Sequence, residues 1–201
     1  MLNLRKIAVT GGLGTGKSMI GKILQDLGCC VVSSDAICHQ LLQSHQKCIE
    51  QVKTLLGNDV LVDGRIDKKR VAERVFSHPS LLRALEEVLH PLVLQQLESL
   101  YKAATLSEKV KFFVVEVPLL FEAKWEGFFD TIIVVTADRS LCIQRTLTKG
   151  LSEREYALRE KRLIPVEKKK ERADFIIVNN GTLHQLQTQV KNIVNMLSKT
   201  S

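Results

Sequence analysis

The chain has 201 residues, with 29 Lys and Arg against 22 Asp and Glu, a formal net charge of +7. With 45% hydrophobic and 25% charged residues it has the make-up of a soluble globular domain, with enough apolar surface to offset the entropy of ordering the chain. Its longest apolar run, Phe112 to Phe121, is interrupted by Glu116 and the first residues (MLNLRKIAVTGG) hold no signal-type apolar region, which excludes membrane, secreted mini-protein and fibrous classes and sets the expectation of a cytoplasmic protein.

Lys6 to Thr10 (KIAVT) is a short apolar run stopped by Gly11 and Gly12, the pattern of a buried strand. Lys17 to Leu27 carries Met19, Ile20, Ile23, Leu24 and Leu27 at helical spacing, with Gly28 placed to end it. Cys30 to Ser33 (CVVS) reads as the next strand, so the chain opens as strand, Gly-rich loop, helix, strand. Ala36 to Leu56 reads as a helix ending at Gly57, Asp63-Gly64 as a turn, and Asp67 to Phe76 and Ser80 to Tyr101 as further helices. Pro91 is expected to bend or break the last of these. No strand signal lies between Asp35 and Glu108, which marks a helical insert.

Phe112 to Val117, Thr131 to Thr136 and Phe175 to Val178 are continuous β-branched or aromatic runs, as expected of parallel strands covered on both faces. Arg139 to Lys149, Ser152 to Arg162 and Leu183 to Leu197 read as helices. The sum is an α/β domain with a doubly wound, five-stranded parallel sheet.

Five cysteines, Cys29, Cys30, Cys38, Cys48 and Cys142, include no C-x-x-C pair, so free thiols in a reducing compartment are expected. The charge is uneven. Arg139 to Arg172 holds eleven Lys or Arg and five Asp or Glu, a net of 11 − 5 = +6, whereas Asp35 to Tyr101 holds eight against nine. For Lys168-Lys169-Lys170 within the basic stretch, a solvated helix face stays open as the alternative to a functional role. Trp125 and the phenylalanines read as core.

Gly11-Gly12-Leu13-Gly14-Thr15-Gly16-Lys17-Ser18 fits G-x-x-x-x-G-K-[ST]. By average composition such a run arises by chance in about one chain of this length in a hundred, and here a strand precedes it and a helix follows. Glycines let successive backbone N–H groups converge on phosphate oxygens, and the helix start adds its positive end. Lys17 is placed to reach the β- and γ-phosphates and Ser18 to ligate Mg²⁺. With no N-K-x-D guanine-reading motif, ATP is the favoured nucleotide.

Asp35 follows the second strand, at the carboxyl edge where open α/β sheets bind ligands. It can serve as a general base, hold Mg²⁺ through water, or cap the helix that follows. Glu116, near the end of the third strand, can be a Walker-B-type acid, a substrate-orienting group, or one half of a strand-end pair.

Beyond the phosphate loop, Asp35, Leu89-His90-Pro91-Leu92, Val117-Pro118-Leu119-Leu120-Phe121-Glu122 and Ala173-Asp174 with Asn179-Asn180-Gly181 follow in order. Together these blocks resemble the dephospho-CoA kinase family across essentially the whole chain. The resemblance implies a P-loop NTPase fold of the nucleoside-monophosphate-kinase type. The core would span about 1–35, 108–144 and 172–201, a helical CoA-binding insert about 36–107, and a lid about 145–171. It implies phosphoryl transfer from ATP, with Mg²⁺, to the ribose 3′-hydroxyl of dephospho-CoA. Asp35, Lys17 and Arg145 would be catalytic. Gly12, Leu13, Gly14, Thr15, Gly16, Lys17, Ser18, Met19 and Asn179 would bind ATP, Asn179 near its adenine end. Asp35, His90, Glu116, Lys149 and Arg159 would bind the acceptor, and Ser18 and Asp35 the metal.

The lid departs from the family pattern. The usual R-x-x-x-R-D-G becomes Arg145-Thr146-Leu147-Thr148-Lys149-Gly150, and the usual R-x-x-x-Q-x-P becomes Arg159 followed by Leu163-Ile164-Pro165. Lysine is a point charge without arginine's bidentate fork. The competing readings are a kinase of another small acceptor such as a nucleoside or nucleotide, a non-catalytic ATP-binding protein, and nucleic-acid binding through the basic stretch. No RNP-like motif accompanies that stretch. No nucleic acid and no membrane are expected as partners, and a monomer or weak homo-oligomer is expected.

Overall fold

The computed structural model describes residues 4–62, 64–76 and 78–199. The chain divides into two compact units, Met1–Ser33 with Ala103–Ser201, and Ser34–Lys102. The basic stretch after residue 145 clusters with the sheet unit.

The sheet unit is built on β1 (Lys6–Gly11), β2 (Cys30–Ser33), β5 (Phe113–Glu116), β6 (Thr131–Thr136) and β7 (Phe175–Val178), all parallel and in the order β2-β5-β1-β6-β7. The expected strands are therefore all present. From β1 the chain goes to the edge strand β2, returns inward to β5, and then crosses to the other side of β1 for β6 and β7, so the crevice at the carboxyl end of β1 is the topological switch point.

Helix α1 (Lys17–Asp26) and helix α9 (Leu183–Lys199) cover one face. Ile20, Ile23 and Leu24 of α1 and Val190, Ile193 and Leu197 of α9 pack in one core with Ile7, Val9, Val114, Ile133, Val135 and Ile177. The intervening strand residues Ala8, Phe113, Val115 and Val134 are also fully buried, which is why these strands read as continuous rather than alternating apolar runs. The two edge strands differ: β2 is half-buried throughout, and Ile176 and Val178 of β7 are exposed. The Gln189 side chain closes that edge, accepting from the Val178 N–H and donating to its carbonyl, so an open row of backbone groups is blunted.

Between β6 and β7 run α6 (Arg139–Leu147), α7 (Glu153–Glu160) and α8 (Val166–Lys170). Ser152 caps α7 in a capping box with Glu155, as the S-x-x-E spacing allows. Helix α8 has no counterpart in the sequence reading. Its middle lysine overturns the solvated-face alternative for Lys168-Lys169-Lys170: Lys169 is 1% exposed and pairs with Glu122 at 2.8 Å.

The second unit contains α2 (Ser34–Ser44), α3 (Gln46–Leu56), the hairpin β3 (Leu61–Val62) and β4 (Arg65–Ile66), α4 (Lys68–Phe76) and most of α5 (Pro79–Thr105). It departs from expectation in three ways. The single helix expected over 36–56 is two, because His45 is extended and its Nδ1 accepts the Cys48 N–H as an N-cap. The short hairpin gave no strand signal at two residues per strand. Asp63, half of the expected turn, lies outside the described residues, while Gly64 has the positive φ such a turn needs. Finally, Pro91 does not break α5. Its missing N–H costs one helical bond, and Leu89, Val93 and Leu97, buried at four-residue spacing, hold both halves of the helix in register.

All five cysteines are free thiols, as expected. Burial pushes the thiols of Cys29 and Cys38 up to about 11, so neither is a ready nucleophile near neutral pH.

Candidate active site

The loop between β1 and α1 is shaped by glycines for reasons of space as well as backbone freedom. At Gly14, with φ +78°, a β-carbon would stand 2.4 Å from the Cys142 carbonyl oxygen, so α6 packs directly against the loop. At Gly16, with φ +98°, it would stand 2.3 Å from the Asn179 amide nitrogen. Only glycine fits either place. Thr15 is buried and its hydroxyl donates to the Gly12 carbonyl at 3.0 Å, tightening the turn. Lys17 folds back into the loop, donating to the Gly11 and Gly12 carbonyls at 3.2 and 2.8 Å. Ser18 and Met19 are exposed on the first turn of α1.

Glu116 ends β5, in register with Val9 of β1 and Ser33 of β2. Its carboxylate accepts from the Ser18 hydroxyl at 3.2 Å. This contact is compatible both with an acid beside the loop hydroxyl and with a strand-end pair, two of the roles the sequence left open for Glu116. An oxygen-only pair of this kind suits Mg²⁺, which completes its shell with waters and phosphate oxygens. Among the described residues no group of three or more His, Cys, Asp or Glu could hold a metal unaided.

Asn179, just after β7, is 7% exposed, and its side-chain amide donates to the Thr15 carbonyl at 2.8 Å. Its own backbone N–H donates to Thr136 and its carbonyl accepts from Arg145 Nη2 at 3.0 Å. The Asn179 amide nitrogen is thus committed to the loop. An open groove of about 550 Å³ runs beside it over Val178, Asn180, Gly181, Gln185 and Gln189.

Arg145, in the last turn of α6, thus joins the loop through Asn179, and its Nη1 is buried without a hydrogen-bond partner. Lys149 and Arg159 are exposed. In the other unit Asp35 is exposed in the first turn of α2, which begins one residue earlier, at Ser34. It is therefore not the N-cap of that helix. His90 is half-buried in α5, and burial lowers its pKa from the ordinary 6.5, opposed by Glu86.

Three features carried no usable sequence signal. Cys142 touches the loop through backbone atoms, which no side-chain pattern encodes. Lys169 is one of three consecutive lysines, distinguished only by the phase of a five-residue helix. Tyr156 is buried in α7 beneath Arg139, which also pairs with Glu160 at 2.9 Å. Glu122 had a faint signal as a lone charge closing an apolar block.

A family model described as dephospho-CoA kinase matches residues 5–185. A dephospho-CoA kinase of Protochlamydia amoebophila (strain UWE25) is 43% identical over 199 residues, 98% of each chain. One from Chlamydia trachomatis serovar D is 35% identical over the full length of both. Among solved structures, TT1252 from Thermus thermophilus has a TM-score of 0.83 at 32% identity, covering 97% of this chain and 98% of its own. Dephospho-CoA kinase from Campylobacter jejuni has a TM-score of 0.72 at 26% identity, with the same coverage. A shikimate kinase from Acinetobacter baumannii, at 16% identity and a TM-score of 0.53, shares the fold alone. The phosphate loop at the switch point, the acid beside its serine and this agreement over the whole chain place the protein in the dephospho-CoA kinase family.

Proposed function

We propose that this chain transfers the γ-phosphoryl group of ATP to the ribose 3′-hydroxyl of dephospho-CoA, giving CoA and ADP. The observation that carries the reading is the Ser18–Glu116 contact at the mouth of a complete phosphate loop. It sets a hydroxyl and a carboxylate where the metal of a nucleotide triphosphate would lie.

The loop amides and the start of α1 bind the phosphates, and Lys17 exchanges its carbonyl partners for phosphate oxygens. Mg²⁺, when bound by Ser18 and through water by Glu116 or Asp35, supplies charge neutralisation across the β- and γ-phosphates. Asp35 orients the 3′-hydroxyl and takes its proton. The hydroxyl oxygen bonds to the γ-phosphorus as the bond to the β-bridging oxygen breaks. Arg145, with Lys149 and Arg159 brought over by closure, neutralises charge on the transferring group and excludes water. The helical unit, which has a cavity of about 120 Å³ among Ile37, Gln40, Leu41, Ser44, His45 and Gln96, takes the rest of the acceptor, with His90 contributing from α5.

The test is formation of ADP and of phosphorylated product from ATP-Mg²⁺ with dephospho-CoA, set beside nucleosides and nucleoside monophosphates. Phosphorylation of dephospho-CoA well above the other acceptors is expected, and preference for a nucleoside or nucleotide would overturn the assignment.

A further inference from the structure

Two partly buried fastenings bracket the basic stretch that follows α6. At its start Arg145 donates to the Asn179 carbonyl. At its end a single oxygen, Oε1 of Glu122, accepts the Ile164 backbone N–H at 2.8 Å and meets the Lys169 ammonium at 2.8 Å. Glu122 lies in the turn after β5, 42 residues before Ile164, and its other oxygen, Oε2, is buried without a hydrogen-bond partner. The charge of this carboxylate is therefore balanced by Lys169, itself 1% exposed. Arg172 strengthens the same end, pairing with Glu126 and lying 4.4 Å from the centre of the Phe121 ring.

What lies between is held differently. Lys149 and Arg159 are exposed, and Gly150 has nothing within 4 Å of where a β-carbon would be. The ion pair holding α7 to α6, Arg139 with Glu160, has side chains 60% and 40% exposed, the kind of pair that contributes little. Along this arch of residues 148–163 Tyr156 is the one buried residue, so the arch is held chiefly at Tyr156 and at its two feet.

We propose that Glu122 is a positioning residue for phosphoryl transfer. It touches no reacting atom. By holding Ile164 and Lys169 on one oxygen it fixes the far foot of the arch, and so decides where Arg159 and Lys149 come to rest over the transferring phosphate. The proposal rests on the kinase reading above. A misplaced arch admits water, whose oxygen bonds to the γ-phosphorus as the bond to the β-bridging oxygen breaks, giving ADP and phosphate without CoA.

The experiment measures ADP and CoA separately, with ATP-Mg²⁺ and dephospho-CoA, for the full wild-type chain and for Glu122→Gln, Glu122→Ala and Lys169→Met. Thermal midpoints are recorded alongside. For Glu122→Ala, kcat is expected to fall about tenfold or more with KM for ATP changed less than about threefold, since a small displacement at a charge-stabilising group is costly to turnover. ADP formed per CoA should rise above the wild-type ratio. Glu122→Gln keeps an acceptor for the Ile164 N–H and should recover part of both effects. A lowered thermal midpoint with wild-type kcat and an unchanged ADP-to-CoA ratio would reduce Glu122 to a staple of the fold and overturn the proposal. If Glu122→Ala does not fold, Glu122→Gln and Lys169→Met decide by the same ratio. A wild-type chain that forms no CoA would refute the kinase reading, and the positioning role with it.

Discussion

The side-chain amide of Asn179 donates to the backbone carbonyl of Thr15 at 2.8 Å, across 164 residues of sequence. The bond is buried, and it joins the carboxyl end of the edge strand β7 to the loop after the central strand β1. Because the Asn179 carbonyl also takes Arg145 Nη2, one residue couples the shape of the phosphate loop to the position of a basic side chain at the end of α6.

Removing that amide leaves the buried Thr15 carbonyl without its donor, a loss of about 1–3 kcal/mol. Asn179→Ala is therefore expected to lower stability by that amount and to raise KM for ATP more than KM for the acceptor. Urea unfolding and two-substrate kinetics check both. An equal rise in the two KM values would show that the residue does not act through the loop.

The close approach of Gly14 to Cys142 gives a sharper contrast. A β-carbon at 2.4 Å from a backbone oxygen cannot be relieved by turning a side chain, and φ +78° is strained for alanine as well. Gly14→Ala should abolish measurable ATP binding by calorimetry. Gly127→Ala, where nothing lies within 4 Å of the added carbon, should bind ATP as the wild type does.

How much of this was legible beforehand follows from the range of the interactions. The five strands are short β-branched runs and the phosphate loop is a contiguous motif, so both are written locally, and the strand-end place of Glu116 is read from its run alone. The splitting of the helix at His45 depends on one imidazole accepting from Cys48, which competes with good helical periodicity on both sides. The run of α5 through Pro91 depends on packing around Leu89, Val93 and Leu97 overriding a local helix breaker. The buried state of Lys169 depends on Glu122, 47 residues earlier, and nothing in three consecutive lysines distinguishes the middle one.

Under the proposed reading, a change at Glu116 separates metal handling from nucleotide binding. Its carboxylate accepts from Ser18, so Glu116→Gln keeps an acceptor and loses the charge. Outer-shell changes of this kind typically cost about 10–100-fold in metal affinity or activity. The expected result is a matching rise in the Mg²⁺ concentration needed for half-maximal rate at saturating ATP. An unchanged Mg²⁺ dependence would remove Glu116 from the metal site.

His90 carries a pH dependence. Burial lowers its pKa in the folded chain below the ordinary 6.5, with Glu86 opposing. Above that value the imidazole is neutral in both states and its contribution is fully present. As pH falls below 6.5 the unfolded chain takes up the proton first, so stability is lost on the acid side. His90→Gln should flatten the decline of the urea midpoint with falling pH, and an identical acid limb in both proteins would contradict the burial argument.

The proposed proton transfer turns on Asp35. It is exposed in the first turn of α2, two residues beyond Ser33, whose register partner is Glu116. Its place in the chain suits a group that meets an incoming hydroxyl, and its helix does not need it as a cap. Asp35→Asn keeps the size and removes the base. Turnover is expected to fall about 10²–10⁴-fold, the usual range for a lost general base, while ATP binding by calorimetry stays near the wild-type value. Near-normal turnover would move the proton-accepting role to another group, whereas a parallel loss of ATP binding would make Asp35 a nucleotide or metal ligand instead.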